Sequence, residues 1–356
     1  MDAPALENLA CPLPLPAGET IVLGHGSGGR LSGELLRRVF LPAFRGEVLA
    51  RLEDQAVVGL GAPAGSAARL AFTTDSFVVR PIFFPGGDIG RLAVHGTVND
   101  LAVGGAVPLF LSAAFILEEG LPIADLERIA ASMSAACRES GVELVTGDTK
   151  VVERGKGDGV FITTAGIGAV PEGCALSIHA ARPGDRILLS GTIGDHGIAV
   201  MAAREGLEFE TALESDTAPL TGLAQAILAA CPQVRSMRDP TRGGLAATLH
   251  ELAAASNVGI RISEAAIPVR SEVRAACELL GLDPLYIANE GKLVAVVPPD
   301  AADRVLDAAR RQPLGARASL IGEIVAEHPG LIVMRSVVGG DRVVTLPASE
   351  PLPRIC

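Results

Sequence analysis

Four aspartates recur at the ends of apolar runs: Asp54 after Leu52-Glu53, Asp75 in Thr73-Thr74-Asp75-Ser76, Asp100 in Val98-Asn99-Asp100-Leu101, and Asp148 in Thr146-Gly147-Asp148-Thr149. Carboxylate oxygens are hard ligands, and Mg2+ takes one or two of them together with substrate phosphates. Such acids converging in space would form a nucleoside-triphosphate site without a P-loop, with Asp54, Asp75 and Asp100 as candidate metal ligands. Taken singly, each is equally a cap or turn former, and only their recurrence shifts the balance. Lys150 shares a strand face with Asp148 and offers an ammonium to a phosphate or a carbonyl. Glu290, in Ala288-Asn289-Glu290-Gly291-Lys292, sits at a polar turn entering an apolar strand, where a carboxylate can act as a base beside a cleft. Arg242, in Asp239-Pro240-Thr241-Arg242-Gly243-Gly244, presents a phosphate fork at the start of a helix, although Asp, Pro and Thr also make an ordinary capped start.

The segment from Leu346 to Cys356 contains Pro347, Pro351 and Pro353, which remove backbone donors and favour extended chain. At about 3.3 to 3.6 Å per residue, the stretch after Leu346 reaches roughly 30 Å. That is enough for the Cys356 thiol to enter a cleft in the same molecule and swing out to another protein, with a frayed end as the plain alternative. The remaining cysteines, at 11, 137, 174, 231 and 277, show no C-x-x-C spacing and hence no zinc or redox pair. Cys137 and Cys277 fall on helical core stripes, Leu126, Ile129, Ala130, Met133, Cys137 and Val273, Cys277, Leu280.

Gly24-His25-Gly26-Ser27-Gly28-Gly29 fits G-x-G-x-x-G between a strand and a helix. A dinucleotide fold would require βα alternation afterwards, and that is missing, which leaves a phosphate-covering loop built on Gly26, Ser27 and Gly28, or a plain turn. A Walker A loop is excluded, because Arg30-Leu31 follows Gly29 where Lys and Ser or Thr belong.

The elements that must position these residues read as a strand at 20–23, a helix at 31–40, strands at 55–59 and 69–79, and a helix at 88–103. A strand at 108–117, a helix at 122–140 and strands at 142–152 and 159–169 complete a first unit. After a Pro- and Gly-containing loop at 171–185 comes a second mixed unit, so the expectation is α+β without strict βαβ alternation. Residues 1–19 form an extension, 20–170 and 171–345 two domains, and 346–356 a mobile tail. The chain has 356 residues, 49% of them hydrophobic, enough for two cores. A net charge of -11 with no Trp and one Tyr argues against a nucleic-acid surface. No apolar run is long enough to span a membrane, and the N-terminus lacks a basic region followed by an apolar core, so a cytoplasmic protein with free thiols is expected.

Together, His25 to Gly29, Thr74-Asp75-Ser76, Val98 to Ala102 with Gly105-Ala106, Gly147 to Val151, Gly157-Asp158-Gly159, Gly194-Asp195-His196-Gly197, Asp239 to Gly244 and Asn289 to Lys292 resemble the HypE family of hydrogenase maturation factors. Most of these motifs belong to the wider PurM or AIR synthetase-like superfamily, which includes selenophosphate synthetases and thiamine-phosphate kinases; the Pro353-Arg354-Ile355-Cys356 ending separates HypE from them. The resemblance implies two AIR synthetase-like domains, a homodimer formed through the first, and an ATP-dependent carbamoyl dehydratase. It implies that HypF loads a carbamoyl group on Cys356, that ATP drives its dehydration to a thiocyanate, and that cyanide passes to iron held by HypC and HypD for [NiFe]-hydrogenase. By the same resemblance, Asp75, Asn99, Asp100, Gly147 and Asp148, and less directly Asp54, serve ATP and Mg2+, while Lys150 and Glu290 stand beside the reacting group. A related synthetase or kinase acting on a free small substrate, and a non-catalytic maturation scaffold, are the rival readings.

Overall fold

The computed structural model describes residues 29–44, 47–59, 69–206, 213–346 and 352–356. The expected extension 1–19, the strand at 20–23 and the loop residues Gly26, Ser27 and Gly28 lie outside the described residues.

The first unit contains α1 (Arg30–Leu35), a π-helical stretch (Leu36–Phe40), α2 (Leu41–Phe44), β1 (Ala56–Gly59) and β2 (Arg69–Phe77). It continues with β3 (Phe83–Phe84), β4 (Gly87–Asp88), α3 (Ile89–Val103), β5 (Val107–Glu118), α4 (Ile123–Ser140), β6 (Glu143–Val152) and β7 (Val160–Val170). Its main sheet has the order β1-β2-β7-β5-β6, antiparallel except for the β5/β6 pair. α3 starts where the Asp88 carboxylate accepts from the N–H groups of Gly90 (2.8 Å) and Arg91 (3.0 Å), satisfying two of the donors a helix start leaves open. The helix is buried along almost its whole length, and Gly90 and Gly96 are small because Ile129 and the Phe77 ring press against them. α4 is an ordinary amphipathic cover whose buried stripe is Ile129, Met133, Ala136 and Cys137; Ala130, expected on that stripe, is exposed.

The second unit contains β8 (Arg186–Leu189), α5 (Asp195–Glu205), α6 (Thr221–Ala230), β9 (Ser236–Arg238), α7 (Gly244–Ser256), β10 (Gly259–Ser263) and α8 (Ser271–Leu280). β11 (Val294–Val297), α9 (Ala302–Arg310), β12 (Ser319–Val325), β13 (Ile332–Arg335) and β14 (Asp341–Val344) follow. Its sheet has the order β14-β13-β10-β12-β8-β11-β9. The strands β9 and β14 lie outside the sequence reading: β9 has only three residues between polar loops, and β14 is largely exposed, so neither shows a burial period.

The two faces of the first sheet differ. Register places Asp75, Thr164 and Ala113 side by side on the face covered by α3. The opposite face leaves Phe72, Ile167, Phe110 and Ile116 exposed, and its rows continue into Asp148 and Lys150 on the edge strand β6.

Candidate active site

Asp54 precedes β1, Asp75 sits in β2, Asp100 lies near the end of α3, Asp239 and Arg242 occupy the loop from β9 to α7, and Glu251 projects from α7. Together they line a cavity of about 240 Å³ at the junction of the two units, with Thr74, Arg238 and Thr248. Thr73 ties the acids to the sheet: its hydroxyl, on β2, lies 2.7 Å from Asp100 Oδ2 and 3.0 Å from the Asp54 carbonyl. Arg238 Nη2 is 2.7 Å from both Asp54 Oδ1 and Glu251 Oε2, while its Nε and Nη1 are buried without a partner. Arg242 Nη2 stands 3.8 Å from Asp75 Oδ1.

Crowding acids away from water raises their proton affinity. Burial pushes the Asp54 carboxyl up to about 8 against the pull of Arg238, and Asp239 up to about 6. Burial, with repulsion from Asp239, Asp75 and Asp54, holds Asp100 well above the carboxylate range. Burial also raises Asp75 against the pull of Arg242. Arg238 and Arg242 offset part of this crowding. Among the described residues no three His, Cys, Asp or Glu side chains stand at metal-ligating spacing, and magnesium does not require that, since phosphates and water complete its shell.

Glu290, only 3% exposed, occupies the turn before β11. Burial pushes its carboxyl well above the usual range, with Asp239, Asp75 and Asp216 adding repulsion and Arg242 opposing it. Its Oε1 is buried with no hydrogen-bond partner. Its backbone is fixed on both sides: the Glu290 N–H donates to Asp216 Oδ1 at 3.0 Å, and its carbonyl accepts from Asn99 Nδ2 at 3.2 Å. Gly291 is small because the Asp216 main chain occupies the space a side chain would need. Burial alone would raise Asp216, but Lys292, whose Nζ is 2.8 Å away, and the hydrogen bond from the Glu290 N–H hold it below the usual range.

Several expected site residues fall elsewhere. Asn99, expected to contact nucleotide, is fully buried, and its amide is already used: Nδ2 donates to the carbonyls of Ala218 (3.0 Å) and Glu290, and Oδ1 accepts from Leu220 N–H (2.8 Å). Gly147 lies on β6 and is small because the Ala113 carbonyl crowds it. Asp148 and Lys150 do share a face and pair with each other at 2.7 Å, but their side chains are 65% and 71% exposed. Within one chain they lie on the opposite face of the first sheet from Asp75.

The tail is seated. Its last residues bury the apolar side chains of Leu352 and Ile355 in a core shared by the two units, with Phe77 and Ile162 from the first and Ile198 and Ile287 from the second, and Cys356 packs half-buried against that core. That core includes Phe77 and Ala288, two residues from Asp75 and Glu290 respectively. The other described cysteines are free thiols, and burial pushes Cys137, Cys174 and Cys277 up, the last to about 11. Cys11 lies outside the described residues.

The sequence reading treated Asp239 as a helix opener and gave no role to Arg238, Glu251 or His196. Asp239-Pro240-Thr241-Arg242 and Gly194-Asp195-His196-Gly197 were the available signals, since both set polar residues among glycines at a helix start.

The family model for AIR synthase related protein, N-terminal domain, matches residues 52–170, and that for the C-terminal domain matches 182–334. The chain is 57% identical over 337 residues to carbamoyl dehydratase HypE of Azotobacter vinelandii, covering 95% of this chain and 97% of that one. The chain belongs to the HypE family of carbamoyl dehydratases. Among solved HypE structures, a HypE–HypF complex superposes with a TM-score of 0.82 at 48% identity, covering 88% of this chain and 99% of that one. HypE in complex with ATP gives 0.78 at 48% identity, covering 95% and 100%. The two-domain α+β fold is thus that of HypE. No helix among the described residues is long and apolar enough to cross a membrane.

Proposed function

We propose that this HypE chain dehydrates an S-carbamoyl group on Cys356 to a thiocyanate at the expense of ATP, in the maturation of [NiFe]-hydrogenase. The observation that carries the reading is the seating of Cys356 on a core shared by both units, which includes Phe77 and Ala288, each two residues from a candidate site acid, Asp75 and Glu290. The relative solved with ATP and the relative solved with HypF support ATP as co-substrate and HypF as carbamoyl donor. The iron-bound acceptor of the cyanide is the HypC–HypD complex.

Amide oxygen is a poor leaving group, so the carbamoyl oxygen attacks the γ-phosphorus, forming a P–O bond as ADP departs. Loss of one N–H proton gives the S-linked imidate phosphate. Loss of the second, with cleavage of the C–O bond, forms the C≡N bond, and phosphate leaves with the electron pair. Glu290 is the base: its Oε1 has no competing partner, and its raised proton affinity suits proton removal near neutral pH. Arg242 forks toward phosphate. One or two of the carboxylates among Asp54, Asp75 and Asp100 would hold Mg2+ together with phosphate and water, and the ion would supply screening of the phosphate charge.

Lys150 and Asp148 complete the site of a second copy. They stand on the sheet face that also exposes Phe72, Phe110, Ile116 and Ile167, an apolar surface suited to a homodimer through the first domains. Intact mass after carbamoylation by HypF tests the whole reading: with ATP the adduct loses one water, and Cys356→Ala forms no adduct. Retention of the carbamoyl mass with ATP present would reject it.

A further inference from the structure

The hydrogen bonds that Arg204 and His196 make to the tail all fall on its main chain. Arg204, near the end of α5, donates from Nη1 to the Pro353 carbonyl (2.8 Å), from Nη2 to the Arg354 carbonyl (2.6 Å) and from Nε to the Arg80 carbonyl (2.9 Å). The Arg80 N–H also donates to the Arg354 carbonyl, at 3.2 Å. His196, at the start of the same helix and 0% exposed, has Nε2 2.9 Å from the Ile355 carbonyl and Nδ1 2.7 Å from Ser215 Oγ. A carbonyl only accepts, so Nε2 carries the proton and Nδ1 accepts from the Ser215 hydroxyl. Burial favours this neutral imidazole.

The support behind the clamp is rigid. Ser215 N–H donates to the Pro85 carbonyl at 2.8 Å, its Oγ lies 3.1 Å from Thr217 N–H, and the Phe84 ring meets the His196 ring edge to face. Gly86 and Gly197 are glycines because Ser215 and Ile287 fill the space of their missing side chains, and Leu352 packs beside Gly197. Arg354 sits at φ 57, in the left-handed region, a conformation a non-glycine residue keeps only where its surroundings hold it.

We infer that His196 and Arg204 are positioning residues, a clamp that reads three successive main-chain carbonyls of the tail and so fixes where the Cys356 sulfur stands for dehydration. The hydrogen bonds from His196 and Arg204 are made to the main-chain carbonyls of Pro353, Arg354 and Ile355, not to the sulfur, so the clamp itself does not depend on what the sulfur carries. Side-chain recognition is secondary: Arg354 Nη1 pairs with Asp158 at 2.7 Å, and Leu352 and Ile355 fill apolar positions.

The inference rests on Cys356 as carrier, and its test separates the two. In the full-length protein, Cys356 is alkylated with iodoacetamide and followed by peptide mass, with thermal melting as the check on folding. Arg204→Ala, at a half-buried position, raises the alkylation rate about 10-fold, as expected for loss of charge-assisted bonds. His196→Ala raises it about 5-fold, and His196→Gln, which keeps an N–H donor, recovers part of the protection. Both Ala variants slow ATP-dependent water loss from carbamoylated Cys356 without moving the acid limb of its pH profile. Unchanged alkylation in the folded variants would overturn the clamp. Failure of the wild-type adduct to lose water would overturn the carrier reading alone, because alkylation needs no catalysis.

Discussion

The acid cavity and the edge strand β6 both carry residues suited to phosphate chemistry, yet they are built in opposite ways. At the cavity, Asp54, Asp75, Asp100 and Asp239 are partly withdrawn from water between the two units, as Glu290 is fully near by, and all five show raised proton affinity. On β6, Asp148 and Lys150 remain solvated and neutralise each other, and the Asp148 carboxyl lies below its usual range through its hydrogen bonds to Lys150 and Thr149 N–H. One chain thus completes the first region by its own folding and leaves the second open for another surface to finish.

The sharpest way to break this contrast is Glu290→Gln. It is expected to lower ATP-dependent dehydration by about 10² to 10⁴, the usual worth of a positioned base, measured as single-turnover loss of water by mass. In the parent, the rate should fall as pH drops through the raised pKa of Glu290, above the ordinary carboxylate range; that acid limb should vanish in the variant.

A mixed-subunit experiment addresses the edge strand. Lys150→Ala should reduce dehydration about 10- to 100-fold while leaving the melting temperature nearly unchanged, since an exposed side chain contributes little to stability. Mixing Lys150→Ala with Glu290→Gln subunits should then restore part of the activity, because one composite site keeps both groups. No recovery in confirmed mixed dimers would assign Lys150 to its own chain.

Stability against pH sharpens the cavity side. Acids whose folded pKa is raised contribute stability that is full below their unfolded values near 4 and is lost as pH rises through about 6 for Asp239 and about 8 for Asp54. Chemical denaturation of the nucleotide-free protein should therefore show declining stability from pH 5 to 8. Mg2+ with ATP should offset that decline, and Asp54→Asn should flatten it.

The smallest effect is expected at Asp148→Asn, which should leave the chemical-denaturation midpoint essentially where it is in the parent, as for other solvated surface pairs.

Much of this was legible in the sequence because period and spacing are local. The helix at Ile89–Val103, the long strands and the junction loop follow from burial patterns, and Asp75 and Asp100 stand where apolar runs end. What was not legible depends on which side of a sheet a residue faces and what crosses from the other unit. Asp148 resembles Asp75 in its neighbours, but the pairing of β6 beside β5 turns it to the far face. Asn99 looks like a ligand beside Asp100, and only the approach of Ala218, Leu220 and Glu290 from the second unit shows its amide to be occupied. Burial of the tail depends on Leu352 and Ile355, two apolar residues among prolines, too few to register as a period.

The engagement of Asn99 also has a kinetic consequence. Its amide ties the two units together through three hydrogen bonds, two of them buried and the one to Ala218 partly so, and opening one unit against the other would have to break all three. Under the proposed function the part that must move is the short tail, and once released from its clamp a segment of that size rearranges in nanoseconds to microseconds. Encounters with carbamoyl donor and cyanide acceptor, at ordinary protein association rates of about 10⁵ to 10⁷ M⁻¹ s⁻¹, are slower at cellular concentrations. The cadence of maturation is then set by who is waiting outside the cleft, and the supply of partners governs flux.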